Sequence, residues 1–447
     1  MPPSLDRSPP ALAPPLREVV GTSTEGRPIY LESLPAAPGG PRILLIGGQH
    51  GDEPLARAAV SGFLPRWRAE KMAAGVQLAA IPDLNPDGRA AGTRTNAAGI
   101  DLNRDHQRLR GAETQALHQL VRRWQPQLIV DVHTYPPRRK HLLRQGWTYA
   151  HDLFLDLPNN PSLLPGVADK RLTTGMQGVL DRLGEDGFLA DRYLLVRRSG
   201  RVRHSTADAV DARNHLALRY GIPVILVEGK QPPRRTTEAA GWRTQQAVIR
   251  TLHHIVAWSI EYLGQPRDRT EQDPAPRRVA LRCRYQPATA PAHLRLEQVD
   301  SGQLCDVVLP GPYTPSLRPT SYVSLPDAYA VPKALSRVVQ LLAAHGWRGQ
   351  PLGPQRSAPG PGLAQQYQIQ NCVPSRRPHR AARQVQLATH PYPGSLDDYL
   401  LYPTAAAGGR CLAVLLEPHS KYGLARYDEY GLSLRPGQDY PVLRWNA

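Results

Sequence analysis

Three short apolar runs, each breaking off at a side chain that can hold a metal or a proton, constrain this chain most. Arg42-Ile43-Leu44-Leu45-Ile46 leads into Gly47-Gly48-Gln49-His50-Gly51-Asp52-Glu53-Pro54. Leu128-Ile129-Val130-Asp131-Val132 ends in His133, and Pro223-Val224-Ile225-Leu226-Val227 ends in Glu228-Gly229. Apolar runs of roughly four to eight residues bounded by turn signals read as buried strands. Strand and helix signals alternate around them, which predicts α/β layers. Open α/β sheets bind ligands beyond the carboxyl ends of their strands, so these endings are expected to meet at one edge.

The residue types at those endings are ones that can hold a zinc ion and move a proton. His50 and Glu53 follow glycines that let the backbone turn sharply, and two residues separate them, so both can aim at one ion. Catalytic Zn2+ takes three protein ligands at about 2.0–2.2 Å and keeps one position for water. His133 is the candidate third ligand. Glu228 can take a proton from that water and later deliver it to a leaving amine. Arg94 stays protonated and presents a planar fork of donors to a developing oxyanion. Arg104 can grip a carboxylate through two parallel hydrogen bonds. Asp131, two residues before His133, reads as a backbone or loop anchor and not as a ligand.

Taken singly, each residue has a blander explanation. Glu53 could be a first-turn acid that stabilises a helix dipole. His133 could be a satisfied core histidine, and Glu228 could cap a loop. Any arginine in so arginine-rich a chain carries little weight alone. Their common placement at the ends of apolar runs is what favours a site.

Between the first two runs lie Asn85-Pro86-Asp87-Gly88, Gly92-Thr93-Arg94-Thr95-Asn96 and Gly99-Ile100-Asp101-Leu102-Asn103-Arg104-Asp105. In this order, and with Glu228 after the third run, the segments resemble the zinc carboxypeptidase family typified by carboxypeptidase A. The resemblance covers residues 17–265 and implies a three-layer, mixed-sheet α/β fold. It implies one Zn2+ per chain, bound by His50, Glu53 and His133. It further implies that Arg94 polarises the scissile carbonyl, that Asn103 and Arg104 hold the substrate's terminal carboxylate, and that Glu228 is the general base. The expected activity is hydrolysis of a C-terminal peptide bond. A deacylase of N-acyl amino acids, similar to aspartoacylase and succinylglutamate desuccinylase, would use the same chemistry. A catalytically silent binding module is the reading from another class. The tyrosine that closes over substrate in this family has no match where it is expected, at His204-Ser205-Thr206-Ala207-Asp208. Tyr193 is the candidate substitute, at a different spacing.

The formal charge of +17 comes almost entirely from scattered arginine. Arginine in place of lysine, with abundant alanine and proline, is the mark of a GC-rich genome. Aromatic interleaving of the kind that stacks bases is absent, so a nucleic-acid partner is not expected. The basic balance could still draw acidic substrates toward a cleft. Apolar runs long enough to span a membrane are lacking. The N-terminus lacks the apolar core of a signal peptide, which leaves a cytoplasmic location, or export from an earlier start, both open. Cys283, Cys305, Cys372 and Cys411 show no Cys-x-x-Cys spacing. Ordinary thiols are expected there, not a zinc cluster.

Along the chain, residues 1–16 read as a disordered lead-in, 17–265 as the catalytic domain and 266–276 as a charged, proline-flanked linker. Residues 277–447 read as a mixed, β-leaning accessory domain packed on or near the cleft. A hairpin is expected over 17–30, and helices over 113–124, 236–263 and 332–345. Strands are expected at 78–82, 278–283, 385–388 and 411–416, and loops over 158–165 and 349–362.

Overall fold

The structure, a computed structural model, describes residues 16–34, 39–69, 75–163, 170–232, 238–264, 277–351, 363–375, 382, 384–405 and 408–446. The expected linker at 266–276 lies outside these residues, as do most of the lead-in and most of the loop over 349–362.

The first two strands, β1 (Leu16–Thr22) and β2 (Pro28–Ser33), form the expected antiparallel hairpin. Then follow β3 (Arg42–Ile46), β4 (Gln77–Ile81), β5 (Leu128–Tyr135), β6 (Trp147–Tyr149) and β7 (Leu153–Asp156). The series continues with β8 (Ala190–Arg192), β9 (Leu195–Val196), β10 (Val202–Arg203) and β11 (Val224–Lys230). One eight-stranded sheet runs in the order β1-β2-β4-β3-β5-β11-β7-β8. Its centre is parallel, with β4, β3, β5 and β11 side by side, while β2 and β7 join it antiparallel. The sheet is therefore mixed, as expected.

Successive residues of a strand point to opposite faces, and the sheet buries both. Ile43, Leu45, Val130, Val132, Ile225 and Val227 pack on one face against α1 (Pro54–Ala69) and the later helices α5 (Lys170–Glu185) and α7 (Glu238–Gly264). Leu44, Ile46, Ile129 and Val224 pack on the other against α3 (Ala112–Trp124) and α6 (Ala212–Tyr220). Two short helices, α2 (Pro86–Ala91) and α4 (Lys140–Leu143), lie in the connections. Helix, sheet and helix make the three expected layers. In α7, His253 meets the Trp67 ring edge at 5.2 Å between centroids, and His254 bonds Asp186 at 2.7 Å. Both are packing and surface residues.

The described residues from 277 onward are interleaved with the earlier region. The strand Ala292–Gln298 pairs antiparallel with Leu304–Leu309 on one side and with β6 on the other. A six-stranded sheet, built around Ala328–Pro332, Ala364–Val373 and Leu443–Trp445, forms most of the rest. One apolar core joins Val279, Leu281, Leu412 and Tyr422 to Leu109, Ala209 and Leu218 of the earlier region. Polar groups are satisfied across the same boundary: His345 Nε2 donates to Gln107 O at 3.0 Å, and Arg410 Nε to Ser162 O at 2.7 Å. All four cysteines are free thiols. Among the described residues no helix is long and apolar enough to cross a membrane.

Two sequence expectations need correction. Residues 411–416 are not a strand but the body of a helix, Gly409–Leu416, buried on every side. An apolar run without periodicity fits a buried strand and a buried helix equally. The expected helix over 332–345 is shorter, Ser336–Ala344, because Ala328–Pro332 is a central strand of the six-stranded sheet. Leu412 is fully enclosed in the shared core. Leu412→Ala is expected to lower stability by about 2–5 kcal/mol in urea unfolding. A change within error would mean that the helix is not packed as described.

Candidate metal centre

Parallel register brings the site together. Glu228 of β11 stands opposite His133 of β5, so both side chains leave the same face of adjacent strands near their carboxyl ends. His50 and Glu53 arrive from the turn after β3, the strand on the far side of β5. That turn is tightly packed: a Cβ on Gly51 would lie 1.9 Å from the carbonyl carbon of Gly88. Gly51 thus presses the His50–Glu53 turn directly onto α2.

His50 Nδ1 lies 2.8 Å from Glu53 Oε1, and His133 Nδ1 lies 3.1 Å from Glu53 Oε2. The two Nδ1 atoms are 3.2 Å apart. Ligands at zinc distances in a tetrahedron stand about 3.3 Å from each other, so the spacing suits one ion. Among the described residues this is the one group of three donors that could hold a metal, and all three are buried. Thr134 N donates to Glu53 Oε2 at 3.0 Å and fixes the carboxylate. A nitrogen–oxygen–nitrogen set with a carboxylate on the opposite strand fits Zn2+.

The outer ring nitrogens are each taken by a carboxylate. His50 Nε2 donates to Asp101 Oδ1 at 3.1 Å, and His133 Nε2 lies at the same distance from Asp131 Oδ1. A proton held on Nε2 leaves Nδ1 as the lone-pair donor, and such partners orient metal ligands. Asp131 is therefore no backbone anchor. Residues i and i+2 of a strand share a face, which places it beside His133, a signal that the sequence does contain. Burial alone would raise the Glu53 carboxyl, yet the imidazoles of His50 and His133 hold it well below the ordinary carboxylate range. Burial also opposes charge on His133, but Asp131 and Glu53 raise its pKa well above the usual imidazole value. The buried carboxylates thus demand positive charge at this spot.

Behind Asp131 runs a hydrogen-bonded chain whose polarity can be read link by link. Gln49 Nε2 donates to Asp131 Oδ1 at 2.6 Å, so Gln49 Oε1 accepts from His106 Nε2 at 3.0 Å. His106 Nδ1 must then accept from His118 Nε2 at 3.2 Å, and His118 Nδ1 from the Tyr220 hydroxyl at 2.9 Å. Burial pushes the His106 pKa down to about 4, so its ring is neutral and carries one donor and one acceptor. His118 also touches His345, of the later region, at 5.3 Å between ring centroids. None of these side chains has a sequence signature, because four separate segments supply them.

The remaining expected residues gather around a cleft of about 380 Å³. Arg94 Nη1 lies 3.2 Å from His50 Nδ1, and its Nε donates to Asp101 Oδ2 at 3.0 Å. Asp101 therefore aligns both the ligand and the arginine. Asn103 is held through its Oδ1, which accepts from the backbone N–H of Ala212 at 2.8 Å, and its Nδ2 lies 3.1 Å from His133 Nε2. Arg104 and Glu228 line the same cleft. Burial lifts the Glu228 carboxyl to about 7, against the nearby His133 charge. Tyr193 also lines it, with its hydroxyl 3.3 Å from Arg139 Nη2. Every candidate site residue thus borders one cavity.

If the Gln49–His106 chain fixes the ligand ring, His106→Leu should weaken zinc binding by about tenfold in chelator competition. His106→Gln keeps one donor and one acceptor and should restore most of that affinity. Equal affinity in the leucine variant would show that the chain only fills space.

Residues 14–137 match the family model described as zinc carboxypeptidase. A curated relative, Carboxypeptidase 2 of Trichophyton rubrum, is 26% identical over 229 residues, 48% of this chain and 40% of that one. Carboxypeptidase SOL1 of Arabidopsis thaliana is 34% identical over 99 residues, 19% of this chain and 20% of its own. The chain spans less than half the length of these curated relatives. Among solved structures, a metallo-carboxypeptidase of Burkholderia cenocepacia aligns with 20% identity and a TM-score of 0.43, covering 56% of this chain and 66% of that one. A metallo-carboxypeptidase of Pseudomonas aeruginosa aligns with 24% identity and a TM-score of 0.41, covering 53% and 63%. The matched span holds His50, Glu53, Arg94, Asn103, Arg104 and His133, so the similarity to zinc carboxypeptidases covers the segment that supplies the three donors of this centre.

Proposed function

We propose that the protein is a zinc-dependent carboxypeptidase that hydrolyses the C-terminal peptide bond of a substrate with a free carboxylate. The observation that carries this reading is the placement of Glu228 in register with His133, facing the same cleft as the three converging donors. When bound, the ion supplies a Lewis acid and an acidified water.

The chain's own groups do the rest. Glu228 is buried and holds its proton readily near neutral pH, so it can accept one from water and return it to the departing amine. Positive charge brought to the three donors favours its ionised form, the state a base requires. Arg94, aligned by Asp101 beside His50, offers fixed positive charge to the oxygen that gains charge in the transition state. Losing such a donor typically costs about 2.7–4 kcal/mol of barrier. Arg104 and Asn103 border the cleft where a terminal carboxylate would be held. Tyr193 stands in the cleft wall in the part that the family's closing tyrosine would play.

Elemental analysis should find one zinc per chain in the wild type and little in His50→Ala. Glu228→Gln should keep its zinc yet lose most turnover of a blocked dipeptide, about 100-fold or more. Unchanged turnover would remove the base assignment. Hydrolysis of N-acyl amino acids alone, with no blocked dipeptide cut, would replace the peptidase by the deacylase reading.

A further inference from the structure

The cleft does not end at the reaction centre. Arg139, Leu195 and Arg197 also line a second cavity of about 510 Å³, whose other walls include Arg138, Lys140 and Arg198. These cations come from two places: the start of α4 after β5, and the turn joining β9 to β10. Among the described residues, no carboxylate lines this outer cavity. The trench is therefore positive from its mouth to the edge of the reaction centre.

Two observations separate it from an ordinary solvated surface. Arg139 Nη2 donates to the Tyr193 hydroxyl at 3.3 Å, which fixes this guanidinium at the wall shared by both cavities. A positioned guanidinium at that wall is suited to an anionic group of a ligand. The β9–β10 turn is also clamped. Val202 N donates to Pro312 O at 3.0 Å, and Thr314 N donates to Val202 O at 2.8 Å. A Cβ on Gly311 would lie 1.9 Å from Gly200 O, so the backbones touch there. The later region thus holds the Arg197–Arg198 turn at the rim, and the charge is positioned in advance.

We propose that the protein selects acidic peptides, with aspartate or glutamate side chains close to the bond that is cut, and that the Arg138–Arg139 and Arg197–Arg198 pairs recognise them. This rests on the carboxypeptidase reading, which makes a peptide the occupant of a trench leading to Glu228. Acidic side chains two residues apart on an extended peptide lie on one face, about 7 Å from each other, within reach of successive cations.

The test uses zinc-loaded E228Q, which leaves substrate intact, and fluorescence anisotropy of two labelled peptides of equal length. One is rich in glutamate, and the other has glutamine at the same positions. The acidic peptide should bind about tenfold more tightly at low salt, with the advantage shrinking as ionic strength rises. R138E/R198E, which changes two residues of the outer cavity that do not line the reaction-centre cleft, should abolish that advantage. In the otherwise wild-type enzyme, the same pair of changes should raise KM for the acidic peptide. Its kcat, and hydrolysis of the glutamine peptide, should stay unchanged. Equal binding of the two peptides overturns the proposal, as does a preference that survives charge reversal or a single-stranded oligonucleotide that binds better than the acidic peptide. Preferential binding without hydrolysis by the wild type would sink the carboxypeptidase reading and leave acidic recognition standing.

Discussion

Buried negative charge is the constraint on which this molecule turns. Glu53 and Asp131 lie on either side of the His133 ring, both nearly free of solvent, and Asp101 closes the outer side of His50. Carboxylates removed from water are costly unless something positive or protic meets them. Here imidazole N–H groups meet them on the outside, and the Nδ1 atoms and Glu53 leave one point where a cation repays the rest. The same balance explains Arg94: its guanidinium is anchored to Asp101 and set against the donors, while the outer part of the side chain stays exposed. Donor spacing, ring orientation and the placement of Arg94 thus share one electrostatic account.

That account extends far behind the site. Asp131 is oriented by Gln49, Gln49 by His106, and His106 by His118, each with its donor and acceptor fixed by the one before. The far end touches His345 at the end of the helix Ser336–Ala344. The later region is therefore in contact with the back of the metal centre through the histidines, and with its front through the β9–β10 turn. A shared apolar core beneath both makes independent movement of the two parts costly.

How much of this was legible in the sequence depends on the range of the interactions involved. Local signals carried well: strand-length runs ending in His50, His133 and Glu228 do meet at one edge. Parallel register then turns three distant positions into neighbours. The hairpin over 17–30 and the helix after Glu113 were likewise fixed by short-range turn and periodicity signals. Asp131 was within reach as well, since strand alternation alone puts it on the His133 face. Gln49, His106 and His118 were not, because only the folded sheet brings them into line. The run 411–416 failed for a different reason. A segment buried on all sides has no polar face, so hydrophobicity cannot tell the period of a helix from that of a strand.

The arginine content shows the same division between composition and placement. Scattered along the chain, the cations say nothing beyond base usage, and many are spent on structure. Arg213 pairs with buried Asp156, Arg410 braces a backbone carbonyl, and Arg444 meets Glu417. Those around the cleft are different because the fold gathers them where acids are few. The acids that do border the cleft each have a place of their own: Glu53 is one of the three donors, Asp211 caps α6 and Glu228 stands in register with His133. What remains is a one-sided field that converges on the reaction centre from a fixed turn and a helix start. A focused field of one sign raises the local concentration of opposite charge, and here it does so at the point where a peptide would enter. Charge that is uninformative in sequence thereby becomes directional in space.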